Sequence, residues 1–430
     1  MIATLFITLF ALMFLSVPIA LSISIASITV FTAFFPGMDM ISMLAQSLVT
    51  SADNFSVMAI PFFMLVGSLM EGGGKSGIAK QLIHAAEAIA GEAAGGLGAA
   101  AIIAAVLFSA ISGSGPAVVA AIGGIMIPTM TKRGYAPAYS GALVASGGII
   151  GPIIPPSIPM IMYGITAGVS VIKLFTGGIL PGLMMGAALF GVNYVISKKR
   201  LYVGVPREVN SAKWVIRQVW NAKWALLMPV IVLGGIYAGF CSPTEAAVVG
   251  IAYTLIVGLL TRELNLAKIS SALVEAAISS ATVMILVGGA QCFGRLLILS
   301  HIPEMLTEWM LGITNSPIII MLLINVFLLF GGMFIDTVSN VVLFTPLFLP
   351  IVTSLGYSPV YFGVVMTVNL CIGFLTPPLG MNLFIAQSVS HSRLEDVIKE
   401  VIPFMVAALI VLIILTAFPD IIMCMANLVA

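Results

Sequence analysis

Apolar residues fill this chain in long unbroken blocks, without the alternation of a half-buried strand or the single stripe of a surface helix. Blocks of that kind predict membrane-crossing helices, which need roughly 20 apolar residues each. They also argue against an outer-membrane barrel, whose segments are short and alternate apolar with polar positions. The first block, Met1 to Phe35, is interrupted by Pro18 and is too long for the apolar region of a signal peptide. The first Lys or Arg is Lys75, so a basic leader region is missing too, and the block is expected to stay in the membrane as the first helix.

Four blocks are broken in the middle. Ser109-Ala-Ile-Ser112-Gly113-Ser114-Gly115-Pro116 interrupts one, and Gly147-Gly148-Ile-Ile-Gly151-Pro152-Ile-Ile-Pro155-Pro156-Ser157 a second. Gly331-Gly332-Met-Phe-Ile-Asp336-Thr337-Val-Ser339-Asn340 and Gly373-Phe-Leu-Thr376-Pro377-Pro378-Leu-Gly380-Met-Asn382 interrupt two more. The apolar runs beside the first and third breaks are too short to span alone, which predicts re-entrant hairpins with their tips at mid-membrane. The double-proline stretches are long enough to span but must unwind, because proline removes a helix hydrogen bond. Lipid offers no partner for a freed carbonyl, so such backbone survives only where it is buried in protein or lines a site. Freed carbonyls suit a hard cation such as sodium, while helix N-termini and serine hydroxyls suit an anion. Kinked helices satisfied by Ser and Thr would explain one break; four paired breaks point to a transport site.

The pairing is visible in the sequence. A shift of 222 residues carries Gly134, Tyr135, Pro137, Tyr139 and Gly141 onto Gly356, Tyr357, Pro359, Tyr361 and Gly363. The same shift carries Gly151, Pro155, Pro156 and Pro128 onto Gly373, Pro377, Pro378 and Pro350. This predicts an all-α, polytopic, inverted-repeat protein in three parts. Residues 1–197 form the first repeat, with a hairpin at about 94–131 and a broken helix at about 135–168. Residues 198–223 form a linker, and 224–430 the second repeat, with a hairpin at about 317–353 and a broken helix at about 358–390.

Charge sets the orientation. Lys198, Lys199, Arg200, Arg207, Lys213, Arg217 and Lys223 place seven of the 17 basic residues in the linker, against the single acid Glu208. The positive-inside rule puts that linker in the cytoplasm, with Trp214, Trp220 and Trp224 at the headgroups of an amphipathic segment. Lys132 and Arg133 correspond under the shift to Ser354 and Leu355, so equivalent points face opposite sides and both chain termini are expected outside. The composition agrees: 60% of residues are hydrophobic and 8% charged, against roughly 25% charged in soluble domains. The net charge of +1 advertises no nucleic-acid partner. Cys241, Cys292, Cys371 and Cys424 are widely spaced and read as buried thiols.

Gly239-Phe-Cys-Ser-Pro243-Thr244-Glu245-Ala246-Ala247, the Ser112-Gly-Ser-Gly-Pro116 tip, Pro152-Ile-Ile-Pro155-Pro156-Ser157 and Thr376-Pro377-Pro378-Leu-Gly380 together resemble the large membrane subunit of TRAP (tripartite ATP-independent periplasmic) transporters. The resemblance covers essentially the whole chain and looks most like the sialic-acid branch, although C4-dicarboxylate members share these motifs. It implies a sodium-coupled elevator-type secondary transporter of the bacterial inner membrane. It further implies a small four-helix membrane subunit and a periplasmic binding protein that delivers an organic anion. Carried over by position, one sodium site would use Ser109, Ser112, Gly151, Ile154 and Pro155, and a second Gly332, Gly373, Thr376 and Pro377. The substrate carboxylate would meet Ser112, Ser114 or Ser157, with Asp336 close by. Na+ is the coupling ion in this reading, and no organic cofactor enters.

Other residues are weighed against simpler roles. Asp336 is the only charged residue between Glu308 and Arg393, which marks it as functional, although it could also cap the hairpin tip. Glu245 reads as a helix cap behind Ser242. Arg295 is expected at an interface or beside an acid such as Glu304, with substrate binding the lesser alternative. His84, His301 and His391 lack metal-ligand spacing and read as solvated. Gly72-Gly-Gly-Lys75-Ser76 is not a phosphate loop, because the glycine required at its start is Leu69. No nucleophile–base or metal constellation occurs in the apolar segments, so an intramembrane enzyme is disfavoured. The competing transport reading is a self-sufficient sodium/dicarboxylate symporter of similar architecture.

Overall fold

A computed structural model describes all residues except 36–41, 43–44, 48, 51–52, 54, 72–77, 205–211, 315, 379 and 430. The Gly72–Ser76 stretch and the Arg207–Glu208 part of the linker therefore lie outside the described residues. The described chain is helical throughout, and no strand occurs among the described residues. Among the described residues five helices are long and apolar enough to cross a membrane.

The first block is not one helix. It forms α1 (Ile2–Phe14) and α2 (Ile19–Phe34), which pack on each other. Pro18 cannot donate to the helix ladder, and Ser16 takes a left-handed turn with φ of 62°, so the chain folds back there. Helices α3 (Ala59–Glu71) and α4 (Ile78–Ala90) follow. After the linker come α10 (Ala212–Asn221) and α11 (Lys223–Tyr237), joined by a 66° bend, then α12 (Pro243–Leu260), α13 (Leu266–Leu299) and α14 (Ile302–Ile313). These elements form a frame: α13 packs on α2 and α3, and α12 packs on α3 and α11. The start of α12 carries a capping box, in which Ser242 and Glu245 exchange side-chain and backbone hydrogen bonds. That satisfies donors no helix can satisfy internally.

The core group is made of the broken blocks. Helices α5 (Gly96–Ser112) and α6 (Gly115–Lys132) pack on each other as a hairpin turned at Gly113–Ser114. Gly113, with φ of 64°, closes α5 by donating its N–H to the Ser109 carbonyl at 3.2 Å. Helices α7 (Pro137–Gly148) and α8 (Ile158–Ala167) are separated by an unwound stretch, and α9 (Val171–Arg200) runs on from them. The later elements repeat this order: α15 (Pro317–Gly332) and α16 (Thr337–Ser354), then α17 (Pro359–Gly373) and α18 (Met381–Ser390), then α19 (Leu394–Ala417) and the short α20 (Asp420–Ala426). Pro137 and Pro359, each the first residue of its helix and 222 positions apart, start α7 and α17 alike.

Buried polar residues hold each set together, because an amide paired inside an apolar core fixes register. In the first set, Asn193 on α9 donates to the Gly95 carbonyl at 3.0 Å and accepts the Tyr139 hydroxyl at 3.0 Å. In the second, Asn369 on α17 donates to Asn325 on α15, which donates to Thr416 on α19 at 2.8 Å. The sets also cross. Tyr163 on α8 donates to the Pro359 carbonyl at 2.7 Å, and Asn382 on α18 donates to the Ala145 carbonyl of α7 at 3.1 Å.

Two expectations change here. Cys292 and Cys371 are buried, but Cys424 is exposed and Cys241 is half-buried. Arg295 does not pair with Glu304; the Glu304 carboxylate instead lies 4.0 Å from His301 Nδ1, both side chains being well exposed.

Candidate functional site

Each unwound stretch lies against a hairpin, at a contact only glycine permits. A methyl group on Gly113 would sit 2.4 Å from the Pro156 carbonyl oxygen, and one on Gly151 would sit 2.7 Å from that of Ser114. The α5–α6 tip and the α7–α8 break therefore meet backbone to backbone. Real side chains essentially never approach that closely, so both glycines are obligatory for this contact. At the second break the contact is of the same kind: a methyl on Gly373 would lie 2.6 Å from the Gly332 carbonyl oxygen. The participating part of the hairpin differs, however. The first hairpin presents its tip loop, and the second presents the end of its first arm.

The backbone at the breaks is rich in unused oxygen. Among the described residues no donor reaches the carbonyls of Gly151, Ile154, Pro155, Gly332, Thr376 or Pro377. Ser112 Oγ is buried and without a hydrogen-bond partner. A buried oxygen with no donor is costly unless something else meets it. Carbonyls and hydroxyls are hard oxygen donors of the kind alkali cations accept, so these groups fit sodium.

The remaining sequence-selected residues are placed as follows. Ser109 is buried and its hydroxyl donates to the Ala105 carbonyl at 2.6 Å, which leaves only its oxygen lone pairs for a ligand. Thr376 is half-buried and its hydroxyl donates to the Ile372 carbonyl at 3.1 Å. Ser114 stands at the N-terminus of α6, half-buried, with no capping bond of its own. The Ser157 hydroxyl is already occupied: it donates to the Pro152 carbonyl and accepts the Met160 N–H at 3.3 Å. Asp336 is the N-cap of α16, accepting the Ser339 N–H at 2.9 Å and also the Ser339 hydroxyl. It is half-buried and makes no ion pair. Of the two roles weighed for it, capping is the one seen in the structure, and its charge still stands at the hairpin turn.

Sequence reasoning assigned no role to two asparagines. Asn340 is fully buried on the first turn of α16; its amide donates to the Ile335 carbonyl at 2.9 Å, and its Oδ1 has no partner. Asn382 is fully buried on the first turn of α18, and its Oδ1 is also unpartnered. Asn382 also reaches the first break, since a methyl on Gly148 would lie 2.8 Å from its Nδ2. The signal was an amide in an otherwise apolar helix beside a break. Gly115, at the N-terminus of α6, would carry a methyl 3.1 Å from the Phe374 ring, which belongs to the second break. Through these contacts the N-termini of α6, α8 and α18 gather around the two breaks. Helix N-termini offer free N–H groups and a positive dipole end, which suits an anion beside bound cations.

Comparisons with known proteins agree with this construction. Residues 6–421 match the sequence profile of the family described as "Tripartite ATP-independent periplasmic transporter, DctM component". The isethionate TRAP transporter permease protein DctMQ of Oleidesulfovibrio alaskensis is 45% identical over 94% of this chain, which spans 63% of that relative's length. The C4-dicarboxylate TRAP transporter large permease protein DctM of Pseudomonas aeruginosa is 37% identical over 90% of each chain. The sialic acid TRAP transporter permease protein SiaT of Haemophilus influenzae is 35% identical over 97% of this chain and 67% of its own. These relatives are named as transporter permeases, not as enzymes. Among solved structures, the Alcanivorax borkumensis YdaH transporter superposes with a TM-score of 0.64 over 88% of this chain and 89% of its own, at 15% identity, a likeness of fold alone. A profile match along nearly the whole chain, with tips and breaks built from the same residues that suggested it, establishes that the chain belongs to the DctM component family of the tripartite ATP-independent periplasmic transporters.

Proposed function

We propose that this chain is the large membrane subunit of a sodium-coupled secondary transporter for an organic acid anion in the bacterial inner membrane. The observation that carries the reading is the pair of unwound stretches, each with unsatisfied carbonyls and each pressed against a hairpin through glycine. Two cations held at Ser109, Ser112, Gly151, Ile154 and Pro155 and at Gly332, Gly373, Thr376 and Pro377 would bring positive charge beside the tips. That charge offsets the repulsion between an anionic substrate and Asp336. Ser112 and Ser114 remain as hydroxyl donors for the substrate's acid group, and Ser157 acts by holding its break in shape.

In this reading the core group moves as an elevator against the frame, across a membrane oriented with the basic linker in the cytoplasm and both termini in the periplasm. A periplasmic binding protein delivers the anion, and a small four-helix membrane subunit covers apolar surface of the frame. The relatives' names speak of isethionate, C4-dicarboxylates, sialic acid and 2,3-diketo-L-gulonate, so the shared substrate class is a small organic acid, with sialic acid and C4-dicarboxylates the candidates the sequence suggested.

The test is uptake of these labelled acids into proteoliposomes holding this chain with both partners, under an inward sodium gradient. Uptake is expected with sodium and not with potassium alone. Equal uptake on potassium would overturn the cation-cage reading. Vigorous uptake without the partners would replace it by the self-sufficient symporter.

A further inference from the structure

Arg295 stands apart from the hairpin sites. Arg295 lies four residues before the end of α13 and makes no salt bridge, hydrogen bond or ring contact with any described residue. It lines an open cleft of about 280 Å³ between the frame and the core group, in which its side chain and that of Gln291 are exposed. Gln291 and Arg295 contribute from α13, Thr166 from the end of α8, and Val342 and Pro346 from α16. Gln291 and Arg295 stand four residues apart, one turn on the same face of α13, so their donors are presented together. Gly294 between them lets α13 close onto α16, since a methyl there would lie 3.6 Å from Pro346 Cβ.

An unpaired guanidinium in an apolar helix is costly unless it serves a partner or a pathway. Here the cavity supplies room for a partner, while its walls supply no acid. A volume of about 280 Å³ is at the small end of ligand sites, which suits a short organic acid better than a sugar acid. Helices α11, α12 and α13 run back and forth through short connections, so the Arg295 end of α13 lies away from the basic linker. Val342 and Pro346 follow the Asp336 cap by six and ten residues, about 9 to 15 Å along the helix. The cleft is thus separate from the hairpin turns, on their linker-remote side.

We propose that this cavity is a second anion site, in which Arg295 and Gln291 hold the carboxylate or sulfonate of a small organic acid on the side from which substrate arrives. The inference rests on the transport reading above for its role, and on the cavity alone for binding. A guanidinium presents paired N–H groups that match a carboxylate or sulfonate in plane. Because one wall belongs to the frame and the other to the core group, an anion held here also bridges the two parts that the elevator reading sets in motion.

The test places a cysteine on the opposite wall, Thr166→Cys, in the complete transporter in phosphatidylcholine nanodiscs. Modification at that position is followed by mass spectrometry, because Cys424 is exposed in its own right. The probes are 2-sulfonatoethyl methanethiosulfonate, an anion, and its trimethylammonium counterpart, a cation. The anionic reagent is expected to react about tenfold faster relative to the cationic one than it does after Arg295→Gln. Arg295→Lys, which keeps the charge, is expected to retain most of the preference, and succinate or isethionate to slow the reaction only while the positive charge is present. Equal relative rates with and without Arg295, or no protection by either acid, would overturn the proposal. Protection by added phosphatidylglycerol and by neither acid would reassign the cavity to a lipid headgroup and overturn it as stated. Sodium-driven uptake with no protection removes this site alone, whereas protection with no uptake leaves the site and removes the transport reading.

Discussion

The first and second breaks are made from the same local device, Gly-x-x-x-Pro-Pro, and set in different surroundings. Every residue from Gly151 to Met160 is buried, whereas Thr376 and Pro377 are half-buried and Pro378 is exposed. The first break is sealed by the Gly113–Ser114 tip and by Asn382 from the other set, with the Ser157 hydroxyl bound back to Pro152. The second rests on the arm end at Gly332 and has no equivalent staple at its proline pair. Burial lowers the local dielectric and excludes competing water, so the cation proposed for the first break would meet a preformed shell. The second break keeps an exposed edge at Pro378. The difference suggests a division of labour, in which the first site is structural to the bound state and the second exchanges as the transporter loads and empties.

The largest effect that tests this comparison is at the glycines. Gly151→Ala and Gly373→Ala each drive a methyl to within 2.7 Å of backbone, and backbone cannot move aside as a flexible side chain can. Both are expected to cost about 1–3 kcal/mol or more and to abolish uptake. Because the first break is enclosed on all sides, Gly151→Ala should also lower the melting temperature in detergent more than Gly373→Ala. The reverse order would remove the distinction between a sealed and an open break.

A smaller effect separates the polar staples of the two sets. The Tyr139 hydroxyl donates to Asn193 Oδ1, which also accepts from Ser197 at 3.3 Å and so keeps a partner in Tyr139→Phe. The Tyr361 hydroxyl donates at 2.9 Å to the Thr416 carbonyl near the end of α19. Tyr361→Phe leaves that buried carbonyl unmet, at about 1–3 kcal/mol. Thermal unfolding of the two variants is expected to rank Tyr361→Phe as the more damaging; equal losses would mean that water or a neighbouring group replaces the missing hydroxyl.

The smallest effects on stability, and the most informative for function, are at the hydroxyls. Ser112 Oγ has no partner, so Ser112→Ala removes an unsatisfied group and is expected to leave stability unchanged or slightly raised. If that oxygen serves a cation or substrate, the sodium dependence of uptake should nonetheless weaken several-fold. Thr376→Val gives up a hydrogen bond to Ile372, about 0.5–1.5 kcal/mol, and is expected to raise the sodium requirement without abolishing expression. An unchanged sodium dependence in both variants would take the two side chains out of the cages and leave backbone oxygen alone.

Much of this molecule could be read from local chemistry. Apolar runs, Gly and Pro at the breaks, the Ser242–Glu245 cap and the constant shift between the two sets are all properties of short stretches. Their physics, hydration of apolar surface and the geometry of a lost N–H, acts within a turn or two of helix. The limits of that reading lie in particular residues. Pro18 was legible as an interruption, but a left-handed turn at Ser16 folds the first block into two helices. Asp336 was legible as unusual, but its two bonds to Ser339 depend on the hairpin turn being formed. Ser157 looked like a substrate donor until its partner proved to be Pro152, five residues back.

Only tertiary structure decided what each freed group faces. Asn382 and Ala145 are 237 positions apart and Tyr163 and Pro359 are 196 apart, and nothing within either stretch names its partner. The same holds for Arg295, for which the sequence offered Glu304, nine residues on, as a partner and whose surroundings are a cleft shared by three helices. Composition and proline placement determined that the chain has breaks and where they fall, because backbone hydrogen bonding is a local requirement. Which break is sealed, which stays open, and which oxygens are left without a donor were settled by packing between distant segments, where burial rather than residue type sets the energy of a polar atom.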